Sequence, residues 1–244
     1  MNGLAYLTIG LGLILTGCSD KEDEETTEAP DVYQKIYGAS DVYVQGDYVY
    51  IKSNGLPDHK SVYYEGTQWA STKYQAYNGT NTNFHQNPNV IGDMSYTFKI
   101  PLSPSVDANH ESTPLGPIGV ALNGVPFFNQ YAAGNAALTD EINSFDTYYG
   151  HPTGGSQYHY HIEPTYLTET IGNDELLGFL LDGFPVYGSM ENGTELTSDD
   201  LDAYHGHTDA TTDYPDGIYH YHITSDDPYI NGAGFYGSAG TLTQ

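Results

Sequence analysis

The sequence predicts a mainly β, β-sandwich-like single domain with a minor helical part, built on an internal duplication of hairpin–short helix–strand units. Three observations support this fold class. The 244 residues include 28 Gly, 13 Pro and 24 Tyr, a composition that favours turns and short strands over long helices. The tetrapeptide Tyr-His-Tyr-His occurs twice, at residues 158–161 and 219–222. The stretches before the two copies also match each other, which is the signature of a repeat.

The first half of the chain contains strand patterns separated by turns. Apolar and polar residues alternate over 41–45 and 47–53, around Gln45-Gly46-Asp47, and this predicts a hairpin. Residues 60–93 are rich in Asn, Gly and Thr and predict mainly loops. A further strand is expected over residues 94–100, ending at Pro101, because proline cannot donate to a strand ladder.

The second half contains the predicted duplication. Residues 119–128 match residues 178–187 position by position. Each stretch carries a dipeptide between apolar arms, Asn123-Gly124 in one and Asp182-Gly183 in the other. These dipeptides predict two-residue hairpin turns, since a type I′ turn needs positive φ at both central residues.

A short helix is expected after each hairpin. Thr139 and Ser198 are the predicted N-caps, and acidic residues follow them in the first turn, where the helix dipole favours anions. Each helix is expected to end at a glycine, Gly150 or Gly206, because glycine suits the left-handed position after a helix. A turn-rich loop then leads to the Tyr-His-Tyr-His strand. The two repeats are predicted to span residues 116–164 and 175–224.

The N-terminal segment predicts export. Residues 4–15 form an apolar run of signal-peptide length, and Leu15-Thr16-Gly17-Cys18 resembles the bacterial lipobox, although no Lys or Arg precedes the run. This predicts a lipoprotein signal peptide over residues 1–17 and a lipid on Cys18. Residues 18–39 begin with an acidic stretch and are expected to be a disordered tether, followed by one domain over residues 40–244. The expected location is the cell envelope, at the outer membrane or cell surface.

The charge balance excludes several classes of function. The chain has 32 acidic residues, six Lys and no Arg, and its last Lys is Lys99. Nucleic acid is therefore excluded as a partner, since its phosphates are neutralised by Lys and Arg. The absence of Arg also disfavours phosphoryl transfer. The sequence has no Gly-x-Ser-x-Gly elbow, phosphate-binding loop or His-Glu-x-x-His motif, and Cys18 is its one cysteine.

Several motifs resemble those of bacterial YHYH-domain proteins, a family of exported proteins whose activity is poorly defined. The resemblance covers residues 41–237, and its motifs are residues 53–59, 87–89, 182–188 and 202–207, both Tyr-His-Tyr-His copies, Pro228-Tyr229 and Gly232. It identifies the domain more firmly than any activity. Many relatives look to have cysteines where this chain has Tyr204 and Ala233, so a stability argument based on a disulfide does not carry over.

The histidines are candidate metal ligands. In a strand, residues i and i+2 share a face, so each His-x-His pair presents two imidazoles side by side. A third histidine from the preceding Gly-His turn would give a three-nitrogen site, and neutral imidazole suits Zn, Cu, Ni and Fe. The predicted ligands are His151, His159, His161, His207, His220 and His222. The predicted supporting residues are Asp146, Asp202, His205 and His59, with the aspartates expected to accept a ring N–H from a ligand.

The leading hypothesis is a non-catalytic, lipid-anchored domain that binds Zn or Cu through these pairs. A metal-dependent hydrolase or oxidoreductase with an open three-histidine site is an alternative from another class. A tyrosine-rich surface that binds glycans is a third. The histidines and tyrosines could also form only a hydrogen-bonded sheet face, and the sequence leaves open whether the two strands build one site or two.

Overall fold

The structure is a computed structural model, and it describes residues 25–244. It is a mostly β single domain, with 31% of its residues in strands and 13% in helices. The strands are β1 (Thr26–Glu28), β2 (Ala39–Gln45), β3 (Tyr48–Ser53), β4 (Tyr96–Pro101), β5 (Pro117–Ala121), β6 (Pro126–Phe128), β7 (Tyr131–Ala132), β8 (Ala136–Ala137), β9 (Gly150–Pro152), β10 (Tyr158–Tyr160), β11 (Leu176–Leu180), β12 (Pro185–Tyr187), β13 (Met190–Glu191), β14 (Thr194–Glu195), β15 (Gly206–Asp209), β16 (Ile218–His222) and β17 (Thr241–Thr243).

The helices are short. The α-helices are α1 (Asp31–Gln34), α2 (Ala70–Lys73) and α3 (Thr165–Ile171), and the 3₁₀ helices are Val62–Tyr64, Ala133–Asn135, Glu141–Ser144 and Ser198–Asp200. The predicted hairpin around Gly46 is confirmed as β2 and β3, and most of residues 60–93 are loop, as expected. The predicted strand before Pro101 is β4, which includes the proline itself.

Two larger sheets share one hydrophobic core. The first has the strand order β1-β2-β3-β4-β17, and the second has the order β15-β16-β12-β11-β5-β6-β10-β9. Strand β3 alternates strictly between partly exposed and buried residues, so one face of the first sheet faces the core. The central strands β5 and β11 are buried at every residue. Their apolar side chains join those of the first sheet in a single cluster.

The eight-stranded sheet has the same pairing scheme on both sides of its centre. Strands β5 and β6 pair antiparallel, β6 pairs with β10 parallel, and β10 pairs with β9 antiparallel. The other side repeats this order: β11 and β12 pair antiparallel, β12 pairs with β16 parallel, and β16 pairs with β15 antiparallel. Strands β5 and β11 join the two halves antiparallel. The scheme accords with the predicted repeats, whose origin by duplication stays a prediction.

The hairpin loops differ from the predicted two-residue turns. Gly124 and Gly183 have φ of 81° and 86°, while Asn123 and Asp182 are not in the positive-φ region. The Gly124 N–H donates to Ala121 O, and Ala121 N–H donates to Val125 O. These bonds define a three-residue loop, a type I turn followed by a left-handed glycine, which is the next most common hairpin connection. The dipeptides predicted the right hairpins but the wrong turn type.

The helix ends were also predicted incorrectly. The 3₁₀ helix Ser198–Asp200 has a capping box between Thr197 and Asp200, so its N-cap lies one residue before the predicted Ser198. The 3₁₀ helix Glu141–Ser144 begins two residues after the predicted N-cap Thr139 and has no side-chain cap. Gly150 and Gly206 each begin a strand rather than end a helix. A Cβ on Gly150 would lie 2.4 Å from the Tyr158 ring, so this glycine lets the Tyr-His-Tyr-His strand pack closely.

A disordered tether was predicted over residues 18–39. Among the described residues of that range, those from 26 onward are folded. Strand β1 pairs with β2, and the buried Tyr33 ring lies 4.7 Å from the Phe179 ring. Residues 26–39 therefore belong to the folded domain, because they bury apolar side chains that the acidic stretch before them lacks. The predicted signal peptide and Cys18 lie outside the described residues. Across residues 25–244, no helix is long and apolar enough to cross a membrane.

Two candidate metal centres

Paired strands place the histidines of each cluster opposite one another. His159 on β10 is the register partner of His151 on β9, and His220 on β16 is the partner of His207 on β15. His161 and His222 follow two residues after His159 and His220, on the same face of their strands. Each predicted His-x-His pair is thus joined by the histidine of its Gly-His segment, as the sequence predicted.

In the first cluster, three imidazole nitrogens converge. The Nε2 atom of His159 lies 3.0 Å from that of His151 and 2.9 Å from that of His161. A carboxylate oxygen of Glu141 lies 3.2 Å from His151 Nε2. All three imidazoles are at most 3% exposed, so their nitrogens meet in a largely buried space.

The opposite ring nitrogens of the first cluster are fixed by hydrogen bonds. His159 Nδ1 lies 3.0 Å from Gln157 O, and His161 Nδ1 lies 2.6 Å from Asn129 O. A carbonyl only accepts, so both Nδ1 atoms carry the proton. His151 Nδ1 lies 2.8 Å from Ser144 Oγ, whose own proton is donated to a backbone carbonyl. Ser144 Oγ can accept from this nitrogen, which also lies 3.4 Å from the amide nitrogen of Asn87.

The second cluster repeats this arrangement, with a carboxylate that lies within 4 Å of all three imidazoles. His207 Nε2 lies 3.1 Å from both His220 Nε2 and His222 Nε2. His220 donates from Nδ1 to Ile218 O, and His222 donates from Nδ1 to Gly188 O. One Glu191 carboxylate oxygen lies 3.2, 3.5 and 3.9 Å from the Nε2 atoms of His207, His220 and His222.

These bonds leave unprotonated nitrogens facing each other. A neutral imidazole with its proton on Nδ1 has only a lone pair on Nε2. His159 and His161 therefore present two acceptors 2.9 Å apart, and two acceptors do not form a hydrogen bond. A cation between them removes the conflict. Metal-binding histidines typically donate their other ring N–H to a carbonyl, as these four strand histidines do.

The nitrogen separations match a bound transition metal. Zinc–nitrogen bonds of 2.0–2.1 Å with angles near 90–110° place two ligand nitrogens roughly 2.9–3.4 Å apart. The observed separations of 2.9–3.1 Å lie within this range. Among the described residues, compact groups that could hold a metal ion are His151, His159 and His161, and Glu191 with His207, His220 and His222.

Burial lowers the pKa of the Tyr-His-Tyr-His histidines and so favours their neutral form. Desolvation lowers the pKa of His161 to about 4 and that of His222 to about 3, in each case against a hydrogen bond to a carbonyl that raises it. Burial also lowers the pKa of His159 well below its usual value, and neighbouring imidazoles lower it further. Burial raises the pKa of Glu141, but its interactions with His151 outweigh this, so the net shift is downward. Neutral imidazoles and a carboxylate are the forms that bind metals.

These pKa shifts predict that the metal-free protein is sensitive to acid. In the unfolded chain a histidine such as His161 binds a proton near pH 6.5, but the folded state resists it until about pH 4. The free energy of unfolding should therefore fall as pH falls below 6.5, by about 2 kcal/mol at pH 5 for one such group. The pKa of Asp182 is raised by burial to about 6, so this one group acts in the opposite direction. Urea denaturation of EDTA-treated protein at pH 7 and pH 5 measures the effect, and equal stabilities would contradict it.

The tyrosines of the two Tyr-His-Tyr-His motifs form hydrogen bonds on the strand face opposite the histidines. Tyr158 donates to Asp146, and Tyr219 donates to Asp202, each at 2.9 Å. Tyr221 donates to the buried Asp182 at 2.6 Å. The same aspartates accept backbone N–H groups of their own turns, including that of Gly150. The predicted role of Asp146 and Asp202 in orienting histidine ligands is therefore not what the contacts show, because these carboxylates bind tyrosines instead.

The two other predicted supporting residues also lie outside the clusters. His205 bonds to Thr224 Oγ1 at 3.0 Å, and its carbonyl accepts the backbone N–H of His222. His59 is buried, and its Nε2 atom lies 3.1 Å from the hydroxyl of Tyr160. His205 thus bonds to the backbone of one Tyr-His-Tyr-His strand, and His59 contacts a tyrosine of the other. Neither histidine belongs to a group that could hold a metal ion.

The sequence reasoning missed both glutamates. Glu191 ends β13, in a hairpin whose central residues Asn192 and Gly193 have φ of 50° and 78°, as a type I′ turn requires. That Asn-Gly dipeptide was the available signal for a tight hairpin beside the site. The sequence predicted for Glu141 only a place among the acidic residues of a helix's first turn. The two glutamates do not align between the repeats, so comparing the repeats could not reveal them.

The two clusters are separate centres. Strands β10 and β16 stand five strand spacings apart in the eight-stranded sheet, at about 4.8 Å each. This answers the question that the sequence left open, because the Tyr-His-Tyr-His strands lie towards opposite edges of one sheet rather than converging.

Within residues 25–244, many tyrosines are buried or have a neighbouring group over the ring. Most of the tyrosines in the core are fully buried, including Tyr63, Tyr64 and Tyr96. On the outer face of the first sheet, the Tyr43 and Tyr50 rings stack on each other, with their planes 2° apart. Lys99 lies over the Tyr48 ring, 4.0 Å from its centroid. These ring faces are therefore occupied by neighbours, and the glycan-binding alternative gains no support.

Comparison with known proteins gives one match. The sequence model of a family described as "YHYH protein" matches residues 97–196 and 191–234, which is more than half of the 244-residue chain. The matched residues include both histidine clusters. No curated protein and no solved structure matches the chain.

Proposed function

The chain belongs to the YHYH protein family, and from the geometry of its two histidine clusters we propose that it binds one transition-metal ion at each. One observation carries the proposal: hydrogen bonds to carbonyls fix His159 and His161 so that their unprotonated nitrogens face each other 2.9 Å apart, and His220 and His222 are fixed in the same way beside His207. Mutually repelling lone pairs in a buried space are unfavourable unless a cation lies between them.

Zinc and copper(II) are the proposed ions. Each centre offers three imidazole nitrogens with a glutamate oxygen beside them and no sulfur, and this donor set suits divalent first-row metals. Copper(I) prefers thiolate and thioether ligands, whereas the two donor groups consist of imidazoles and, in the second, a carboxylate. Calcium and magnesium prefer oxygen ligands throughout, so the acidic surface would bind them only loosely.

Metal titration of protein made without a histidine tag tests the proposal. Competition with a chromophoric chelator should show two tight zinc or copper equivalents per chain at pH 7. Protein that takes up less than one equivalent after reconstitution with both metals would rule the proposal out. Magnesium at the same concentration is the control, because it reports loose binding to the 32 acidic side chains.

We also propose that the domain acts at the cell envelope through a lipid on Cys18. The support is sequence-based: an apolar run of signal-peptide length followed by a lipobox-like Leu-Thr-Gly-Cys. In cells that export the full chain, Cys18→Ser should abolish incorporation of labelled palmitate and release the protein from the membrane fraction. Equal labelling of the variant and the unaltered chain would refute lipidation at this position.

A further inference from the structure

The two centres differ in where their carboxylate lies. Glu191 lies within 3.9 Å of all three imidazole nitrogens of its cluster and completes a four-donor group. Among the ion pairs of residues 25–244, Glu141 reaches only His151, and the compact group there consists of three histidines. Zinc sites with four protein ligands are typically structural, while three ligands leave a position for water or substrate.

The first centre also lies in a larger and less polar cleft. Its three histidines line a cleft of about 500 Å³, whose walls include Leu115, Phe128 and Tyr131. This volume is within the range of small-molecule sites. The Phe128 ring stacks on His159 at 3.8 Å, so an apolar surface continues to the edge of the cluster.

The cleft that leads to the second centre is smaller and more acidic. This cleft is about 250 Å³ and is lined by three carboxylates, those of Asp174, Glu175 and Glu191. Such a lining attracts cations and repels anions, and it leaves little room for an organic molecule. A metal ion held by the first centre would therefore keep a position for water or substrate beside an apolar wall, whereas one at the second centre would be enclosed by four protein donors.

The first cleft offers no cationic side chain to an anionic substrate. No Lys lines it, and the chain has no Arg, so a phosphate or carboxylate group would find no cationic partner there besides the proposed metal ion. The amides of Asn87, Asn89 and Gln157 provide uncharged polar groups at its rim. The lining thus suits a neutral molecule with an apolar portion and a polarisable carbonyl.

Glu141 is placed to move a proton at the open position. Its carboxylate is held by the backbone N–H of Ala133 and lies 3.2 Å from His151 Nε2. Its ion-pair contact in the cluster is with His151, and it is not part of the compact three-histidine group. A carboxylate at this distance can accept a proton from water held at the fourth coordination position.

We propose that the cluster of His151, His159 and His161 is a hydrolytic centre for neutral carboxylic esters with an apolar acyl chain. This inference rests on the proposed metal binding. Water adds across the ester C–O bond: its oxygen bonds to the acyl carbon, and the bond to the leaving alkoxide breaks. Glu141 takes one water proton and passes it to the alkoxide, so that an acid and an alcohol are released and the glutamate is regenerated.

Hydrolysis of p-nitrophenyl butyrate by the zinc-loaded full chain tests this inference. Glu141→Gln removes the proton acceptor but keeps its size, so kcat/KM should fall by about 10²–10³-fold. The zinc content should stay at two ions per chain, because the three histidines remain. Glu195→Gln, an exposed glutamate outside both clusters, is the matched control and should hydrolyse the ester at the unaltered rate.

The outcomes separate this inference from the proposed metal binding. A chain that holds two zinc ions but hydrolyses the ester no faster than its His159→Ala, His161→Ala variant overturns the hydrolytic role and leaves the metal binding intact. An unchanged rate in Glu141→Gln overturns the role of that glutamate. If zinc is not bound at all, both proposals fail, and EDTA-treated protein then gives the same rate as zinc-treated protein.

Discussion

Replacing His159 and His161 together with alanine should reduce the bound zinc from two ions per chain to one. The two substitutions remove two of the three converging nitrogens of the first centre, and a lone His151 with Glu141 cannot hold the ion tightly. The second centre shares none of these ligands and should keep its ion. Metal analysis after gel filtration measures the change.

The equivalent double substitution at the second centre tests whether each histidine cluster holds its own zinc ion. His220→Ala with His222→Ala should also leave one ion, and all four substitutions together should leave none. His85→Ala is the control, because His85 is exposed and lies outside both clusters. Circular dichroism checks that each variant is folded. Retention of two ions by either folded double variant would show that the ligands are other residues.

Metal binding should also raise the stability of the domain strongly. A ligand that binds only the folded state stabilises it by about 2.7 kcal/mol at a free concentration 100 times its dissociation constant. Two such sites add about 5 kcal/mol, which raises Tm by roughly 10–20 °C in a domain of this size. The effect should be large because metal also removes the repulsion between buried unprotonated nitrogens such as those of His159 and His161.

Thermal unfolding with zinc, with EDTA and with magnesium separates specific binding from charge screening. The formal net charge is −26, so any divalent cation relieves some repulsion between surface carboxylates. Magnesium should therefore give a small shift and zinc a much larger one. Equal shifts for the two cations would mean that screening, and not the histidine clusters, accounts for the stabilisation.

The histidine geometry was predictable because strand periodicity is a local property. Once residues 158–161 are a strand, His159 and His161 must share one face and the tyrosines the other. The third histidine of each cluster was expected from a Gly-His turn, whereas the structure places it on a strand paired with the Tyr-His-Tyr-His strand. All six predicted ligands lie in the two clusters.

The supporting residues were not predictable in this way. Which carboxylate reaches an imidazole depends on how loops fold over the sheet, and the sequence spacing does not determine that. Asp146 and Asp202 match between the repeats, yet they bind Tyr158 and Tyr219. Glu191 reaches its cluster from a separate two-stranded hairpin, and nothing at the equivalent position of the first repeat points to it.

The turn error has a similar cause. Asp-Gly and Asn-Gly dipeptides fit both a two-residue type I′ turn and the longer loop with one left-handed glycine. The strand pairing decides between them, since Ala121 bonds to Val125 and Leu180 bonds to Phe184. The fold class survives this error because either loop joins the same antiparallel strands.

Anomalous diffraction from crystals grown with zinc tests the central claim most directly. Data recorded above and below the zinc edge should show two strong peaks per chain, each about 2.0–2.1 Å from the three Nε2 atoms of one histidine cluster. The peak at the second centre should also contact Glu191. Peaks found only among surface carboxylates, with both histidine clusters empty, would contradict the account.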